Sequence, residues 1–551
     1  MPLSRNDVRP DDSETPPLPG TLPDDPDPDP DADADPDADP DPDPDPDPDP
    51  DPDADADADA MIPQSPAAQG IAQALAVPPD LLDLPPEQMR RLGHLVVDLV
   101  VDHLTGLRDR PALSAGDPGA LQAALGGPLP LEGTDVAAQL TVLATAAVPH
   151  QQHGDHPRYF ARVPGPSSFP AVLGEWLAVG TQSIASSWGG GAGPTIVELV
   201  ACGWLAEALG LPPGTEGVLQ SGGSLANVTA LLAARTQTGP GVVYVSDQTH
   251  ASITRGLLLT GWAAQDVRVV DTGGRFRLGT EALRVAVEAD LAAGRRPAVV
   301  VATAGSTNTG RVDDLPGIAR LCARHGLWLH VDGAYGGPAA LSPRGRTALA
   351  GLELADSLVV DPHKWLFQPY DVACVLVRHP GVLEAAFAMH PEYLADVQGA
   401  GVQGTGVQGT GARGADTRPA GVDLHNRGLE LTRRGRAFKL WLTFRSYGVH
   451  RLAAAVDRGI ALAVYAEQVV RADPRLEVVT GASLGVLTFA AVGRDAQAHR
   501  QAAAALTASG YAAVSSTVLR GRTVLRLCTI NPRTTTADLD GTLARLSALL
   551  G

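Results

Sequence analysis

The run VVDPHKWLFQP, residues 359–369, sets Lys364 at the end of an apolar, strand-like segment. Lys364 and Lys439 are the only two lysines in 551 residues, and arginine supplies the rest of the 42 basic residues. Arginine serves for solubility, ion pairing and phosphate contacts, which need only positive charge and N–H donors. It cannot replace an amine that must lose its proton and form a Schiff base. A lysine kept in so lysine-poor a chain is a candidate for covalent imine chemistry.

Three other features could serve such an amine. In LQSGGSLANVTALLAAR a strand runs into Ser221, Gly222, Gly223 and Ser224 and then a helix. Glycines permit close backbone approach, and free N–H groups at a helix start attract an anion. Gly-Ser also makes ordinary helix caps. In VVYVSDQTHASITRG, His250 follows a buried strand; an incidental histidine in a capping region is the alternative. In LWLHVDGAYGG, Asp332 ends an apolar strand, where an unpaired carboxylate is costly. Its partner is either a protonated ring nitrogen or an ordinary buried cation. Lys364 itself has His363 beside it and Ser357 upstream.

These residues need a scaffold, and the pattern supplies one. Short apolar runs (GVLQ, VVYVS, VRVV, PAVVVATAG, LWLHVD, SLVVD, ACVLVR) alternate with helical segments such as EALRVAVEADLAAG and PGIARLCARHG. That alternation predicts an α/β domain around a mostly parallel sheet, whose ligands gather at the strand ends. Helical periodicity in PPEQMRRLGHLVVDLVVDHLTGL predicts an N-terminal helical segment over residues 78–150, with the large domain at 151–395. Residues 396–428 contain QGAGVQGTGVQGTGARG and are expected to form a Gly-rich flexible loop. Residues 429–551 predict a small C-terminal α+β domain: helices from about Arg433 and Arg451, strands in LGVLTFAAV and TVLRLCTINP, and a closing helix TADLDGTLARLSALL.

One cofactor meets all four demands. Pyridoxal 5′-phosphate needs a lysine for its aldehyde, a carboxylate for its ring nitrogen, a helix terminus for its phosphate and a flat partner for its ring. From HPRYFARVPGPSSFP to LRLCTINPRTT the chain resembles the group II pyridoxal-phosphate-dependent amino-acid decarboxylases, which include aromatic-L-amino-acid, glutamate and 2,4-diaminobutyrate decarboxylases. The resemblance implies a fold type I large domain. It implies Lys364 as the Schiff-base lysine, Asp332 on the pyridinium nitrogen, and Ala334 and His250 on opposite ring faces. Gly223, Ser224, Ser357 and His363 match the phosphate site, and Thr307 supplies a hydroxyl near the cofactor.

Loss of carbon dioxide from an external aldimine would then leave a quinonoid carbanion to be protonated. Tyr393, in HPEYLADV, falls where the family carries the tyrosine of a mobile catalytic loop; phenylalanine there marks aldehyde-forming relatives. Phe160 and Pro164 are expected to give the entrance an apolar wall, leaning toward an aromatic substrate. Arg526 matches an arginine that contacts substrate carboxylate in glutamate-type relatives. A homodimer follows from the same resemblance. Two departures stand out: Asp361 occupies a position where many relatives have asparagine, and the Gly-rich repeat interrupts the segment that closes over substrate.

Composition narrows the classes further. Residues 1–60 hold 23 of the 63 acidic residues, mostly as Asp-Pro and Asp-Ala repeats, which leaves 40 acidic and 40 basic residues for the rest. Such a tail cannot bury apolar surface and is expected to be disordered. Net acidity gives no reason to expect nucleic-acid binding. No run suits a signal peptide or a membrane span, and the four scattered cysteines suggest reduced core thiols in a cytoplasmic protein. No metal site is expected. Two alternatives remain open: another fold type I enzyme (transaminase-like or aldehyde-forming), and a non-catalytic protein that kept the cofactor fold.

Overall fold

A computed structural model of the chain describes residues 82–389 and 421–551. The acidic tail, Tyr393 and most of the Gly-rich segment lie outside the described residues.

Seven strands form the main sheet: β1 (Glu216–Gln220), β2 (Val242–Ser246), β3 (Val267–Val270), β4 (Pro297–Thr303), β5 (Trp328–Asp332), β6 (Ser357–Val360) and β7 (Ala373–Val377). Their order is β1-β7-β6-β5-β4-β2-β3. Strand β7 is antiparallel to both neighbours, so β1 runs parallel to β6 and to the others. The strands read as continuous apolar runs because both faces are covered. Along β4, Val300 and Ala302 enter one core with Leu329, Val331 and Leu376. Val299 and Val301 enter the other, with Ala230, Ile253 and Val375. Burying each such valine or leucine contributes about 1.5–3 kcal/mol, which fixes the register.

A second sheet closes the chain: β8 (Leu476–Ser483), β9 (Val486–Ala491), β10 (Ser515–Leu519) and β11 (Arg522–Cys528), antiparallel in the order β10-β11-β9-β8. Helices Ala496–Ala508 and Thr536–Leu550 pack Leu506, Leu539, Leu543 and Leu546 against Leu487, Phe489, Leu525 and Leu527. The last helix starts with a reciprocal capping box between Thr535 and Asp538.

Between the sheets runs Ala437–Ala472, two helical stretches broken at Gly448, whose φ of 66° favours glycine. Its side chains up to Ile460 join the main core, and Leu462, Ala466 and Val470 join the C-terminal one. The helix Pro86–Thr105 is apolar along one stripe yet buries no residue. No described helix is long and apolar enough to cross a membrane.

Candidate active site

Five parallel strands end on one edge of the main sheet, and the polar residues that follow them line a single cavity of about 450 Å³. After β1 come Ser221 to Ser224, where the helix Gly223–Thr238 begins with no side-chain cap. After β2 comes His250, which is the N-cap of the helix Ala251–Leu259: its Nδ1 accepts from the Ser252 N–H at 3.2 Å. Gly305 and Thr307 follow β4, Asp332 ends β5 and Ala334 follows it, and His363 and Lys364 follow β6. Gly305 has φ +101°, and a Cβ there would meet the Tyr335 ring at 2.9 Å, so the floor of the cavity requires glycine.

Asp332 is buried, and burial pushes its carboxyl up; the Lys364 charge and the Ala334 N–H oppose that. Its Oδ1 accepts from the Ala334 N–H at 3.1 Å and its Oδ2 from Asn227 Nδ2 at 3.4 Å. Lys364 is a quarter exposed, and its Nζ is 2.8 Å from Asp361 Oδ2. Burial pulls the amine down, but the carboxylates of Asp361 and Asp332 more than offset it and hold the ammonium above its usual value. Asp361 also lies against the helix start, where a Cβ at Gly223 would come within 2.7 Å of Oδ2. His363 is depressed by burial, which Asp361 opposes. Its Nδ1 accepts from the Val372 N–H at 3.2 Å and its ring packs 5.0 Å from that of Tyr370.

Gly223, Ser224, His250, Thr307, Asp332, Ala334, His363 and Lys364 are thus brought together. Ser357 is not. It opens β6, four residues before Asp361 and so about 13 Å away along an extended chain. There its Oγ bonds Trp328 Nε1 and His330 Nδ1, both at 2.9 Å, so the expectation of a phosphate contact is corrected.

The residues expected at the substrate entrance are not among those lining this cavity. Phe160 is fully buried in the C-terminal core, its backbone paired to Ala513 and Cys528. Pro164 is buried outside the cavity wall. Arg526 is buried on β11, with Nη1 donating to the Arg162 carbonyl and with Nε and Nη2 free of protein partners. Sequence reasoning missed Asn227, Gln248, Ser252 and Asp371 in the wall. Asn227 carried a signal, as a polar residue amid the apolar stretch of its helix.

The donor set suits pyridoxal 5′-phosphate. An uncapped helix start facing a cavity offers N–H groups to a phosphate, at about 0.3–1 kcal/mol for the helix field alone. A buried carboxylate held by two donors suits a protonated ring nitrogen, and the ammonium of Lys364 opens into the same space.

Comparison with known proteins agrees. Residues 130–492 match the family described as the pyridoxal-dependent decarboxylase conserved domain. An aromatic-L-amino-acid decarboxylase of Bacillus atrophaeus is 38% identical over 481 residues, 85% of this chain and 96% of that protein. A phenylacetaldehyde synthase of a Rosa hybrid cultivar is 30% identical over 80% of this chain and 90% of its own. The crystal structure of Catharanthus roseus tryptophan decarboxylase in complex with L-tryptophan superposes with a TM-score of 0.76 at 28% identity, covering 85% of this chain and 98% of that one. The chain belongs to the pyridoxal-dependent decarboxylase family. It is a pyridoxal-phosphate-dependent amino-acid decarboxylase, a carboxy-lyase.

Proposed function

We propose that this enzyme converts an aromatic L-amino acid to its amine and carbon dioxide, with Lys364 carrying the cofactor. The observation behind this reading is the convergence of Lys364, Asp332 and His250 on one cavity beside an uncapped helix start. Among the described residues lining that cavity, Lys364 is the only lysine or arginine. A second carboxylate on a substrate side chain would find no cation there, which favours an uncharged substrate. The relative named for aromatic L-amino acids supports the aromatic class.

Each residue then has a task. Asp332, whose carboxyl takes the Asn227 and Ala334 N–H groups and faces Lys364, would hold the proton on the ring nitrogen. The cofactor, once bound, supplies the electron sink that accepts the pair left by departing carbon dioxide. Gly223 and Ser224 would hold the phosphate through backbone N–H groups, with His363 alongside and the Thr307 hydroxyl near the cofactor. His250 and Ala334 would pack against the ring and exclude water. Tyr393 delivers the proton to Cα.

A homodimer in the cytoplasm completes the reading. The helix Pro86–Thr105, apolar yet with no residue buried in one chain, suits burial against a second copy. Four cysteines, all unpaired, suit a reducing compartment. Light scattering tests the first point, and a monomer at working concentration would sink it.

The deciding experiment is mass spectrometry of the products formed from a mixture of L-amino acids by cofactor-loaded protein. An aromatic amine is expected; a product from an acidic amino acid would overturn the substrate class. Tyr393→Phe is expected to divert product toward the aldehyde with consumption of oxygen. An aldehyde from the unaltered protein would instead place it with the phenylacetaldehyde synthase.

A further inference from the structure

A continuous line of buried hydrogen bonds runs beneath the cavity from Trp328 to His250. Trp328 Nε1 donates to Ser357 Oγ at 2.9 Å. Ser357 Oγ is 2.9 Å from His330 Nδ1, and His330 Nε2 is 3.1 Å from Asn227 Oδ1. Asn227 Nδ2 then donates to Ser252 Oγ at 3.0 Å and to Asp332 Oδ2 at 3.4 Å. Ser252 Oγ lies 2.8 Å from His250 Nδ1. Trp328, Ser357, His330, Asn227 and Ser252 are all buried, and His330 is completely so.

The direction of every proton in this line follows from its fixed ends. Indole Nε1 can only donate, so Ser357 Oγ accepts from it and has its own proton free to give to His330 Nδ1. That leaves the His330 proton on Nε2, facing the Asn227 carbonyl oxygen. Working from the other end, an ionised Asp332 can only accept, so Asn227 must turn its NH₂ toward the carboxylate and its oxygen toward His330. The two ends agree. Asn227 also donates to Ser252, whose hydroxyl is thereby directed at His250 Nδ1. Nδ1 already accepts the Ser252 N–H, so the His250 proton resides on Nε2.

We propose that Trp328, Ser357, His330 and Asn227 form a positioning relay that holds the Asn227 donor on Asp332 and, through the same amide, directs the Ser252 hydroxyl at His250. The proposal rests on the roles given above to Asp332 and His250, and adds the residues that act through them. It gives Ser357 a role about 13 Å of chain away from the phosphate site, at the far end of β6. Loss of the Ser357 hydroxyl leaves His330 Nδ1 with no donor and Trp328 Nε1 with no acceptor. The His330 ring is then free to turn, its Nε2–H no longer fixes the Asn227 oxygen, and the Asn227 donor facing Asp332 loosens. The titratable groups otherwise facing Asp332 are Lys364, His250 and Asp361, and all three stay in place.

The test compares holoenzyme of the unaltered chain with Ser357→Ala and Ser357→Thr, following the visible absorption of lysine-bound cofactor against pH. Ser357→Ala is expected to keep that absorption, to shift its titration midpoint by about one pH unit, and to lower kcat about tenfold with KM nearly unchanged. Ser357→Thr, which retains the hydroxyl, restores both. An unshifted midpoint and unchanged kcat in a folded Ser357→Ala protein would overturn the relay. Should Ser357→Ala not fold, nitrogen-15 NMR of histidine-labelled unaltered holoenzyme decides the matter. The proton of His330 on Nε2 throughout the neutral range supports the relay, and a proton on Nδ1 overturns it. Absence of the visible absorption in the unaltered protein would be a failure of the functional reading, and is thus distinguishable.

Discussion

Lys364 Nζ is 2.8 Å from Asp361 Oδ2, and the same carboxylate rests on Gly223, which opens the helix Gly223–Thr238. The amine is thereby held as an ion pair, and a phosphate bound at that helix start, as proposed above, would meet the Asp361 carboxylate. Once the amine is tied up as an imine, its full charge no longer offsets Asp361, and the two anions repel. Asp361→Asn is expected to tighten cofactor binding about tenfold at neutral pH, roughly 1.4 kcal/mol. It should also speed loading, because removing the carboxylate lowers the Lys364 ammonium toward its ordinary value and enlarges the neutral fraction. Stopped-flow absorbance and equilibrium titration measure both. Weaker binding in the variant would show that Asp361 assists the phosphate.

Lys439 is as rare in this chain as Lys364 but has a different occupation. Its buried Nζ donates to the carbonyls of Pro369 at 3.1 Å and Asp371 at 3.0 Å, and pairs with Glu175 Oε2 at 3.0 Å. Burial lowers its ammonium, and Glu175 opposes that. Two hydrogen bonds to backbone carbonyls and one ion pair thus hold the strap that carries Tyr370 against His363 and puts Asp371 in the cavity wall. Gly174 packs directly on the Lys439 backbone, so a Cβ there would approach Cα to 2.7 Å and leave a wider side chain little room to rearrange. Lys439→Met is expected to destabilise the fold by about 3 kcal/mol, at the low end for a broken buried pair because Arg434 still holds Glu175. Denaturant unfolding checks the figure. A change within about 0.5 kcal/mol, as for an ordinary surface site, would refute it.

How legible these features were differs by where they sit. Strands and the loops after them were readable: apolar runs gave β1 to β7, and the polar residues at their carboxyl ends gave most of the cavity. Lysine scarcity flagged Lys364 and Lys439 alike; only burial and partners separate an amine that opens into a cavity from one sealed between helices. Ser357 was placed at the phosphate by the family resemblance alone, whereas the extended strand β6 carries it to the far end of the sheet from Lys364. Phe160, Pro164 and Arg526 depended on how the C-terminal sheet meets the segment at residues 159–162, which no local pattern encodes. Asn227 and His330 sit inside regular elements, where a polar residue looks like an interruption until its partner on another strand or helix is known. Strands β8 and β10 were missed because their side chains are only partly buried and lack a clean apolar run.

His330 ties stability to pH. Burial drives its pKa from 6.5 to about 4, so it stays neutral in the folded chain where the unfolded chain would bind a proton. Its contribution is therefore fully present above pH 6.5 and is lost as pH falls through about 4. The shift corresponds to roughly 3 kcal/mol across that window. His156, lowered to about 4 by burial with the Arg158 and His153 charges beside it, adds to the same slope. Unfolding free energy followed by urea titration should drop over this range in the unaltered protein. The drop should be smaller in His330→Gln, which has nothing to protonate. Equal slopes in the two proteins would remove His330 from the account.

The ion pair between Arg433 and Glu198 offers a sharper test of how the Ser221–Ser224 loop, the proposed phosphate site, is held. Both side chains are fully buried, with Nη2 2.5 Å from Oε1. Arg433 also donates to the carbonyls of Ala185 at 2.6 Å and Leu219 at 2.8 Å, while Glu198 accepts the Leu219 N–H at 2.8 Å. Both backbone groups of Leu219 are thereby fixed two residues before Ser221, so the pair anchors the end of β1 that delivers the anion site. Arg433→Met strands a buried carboxylate and is expected to cost about 3–5 kcal/mol. Adding Glu198→Gln removes that charge yet keeps an oxygen for the Leu219 N–H, so the double variant should recover stability relative to Arg433→Met alone. A double-mutant cycle is expected to give a coupling of about 1–3 kcal/mol. Strict additivity would mean that the two charges are independently solvated, and that β1 is held by its strand pairing with β7 instead.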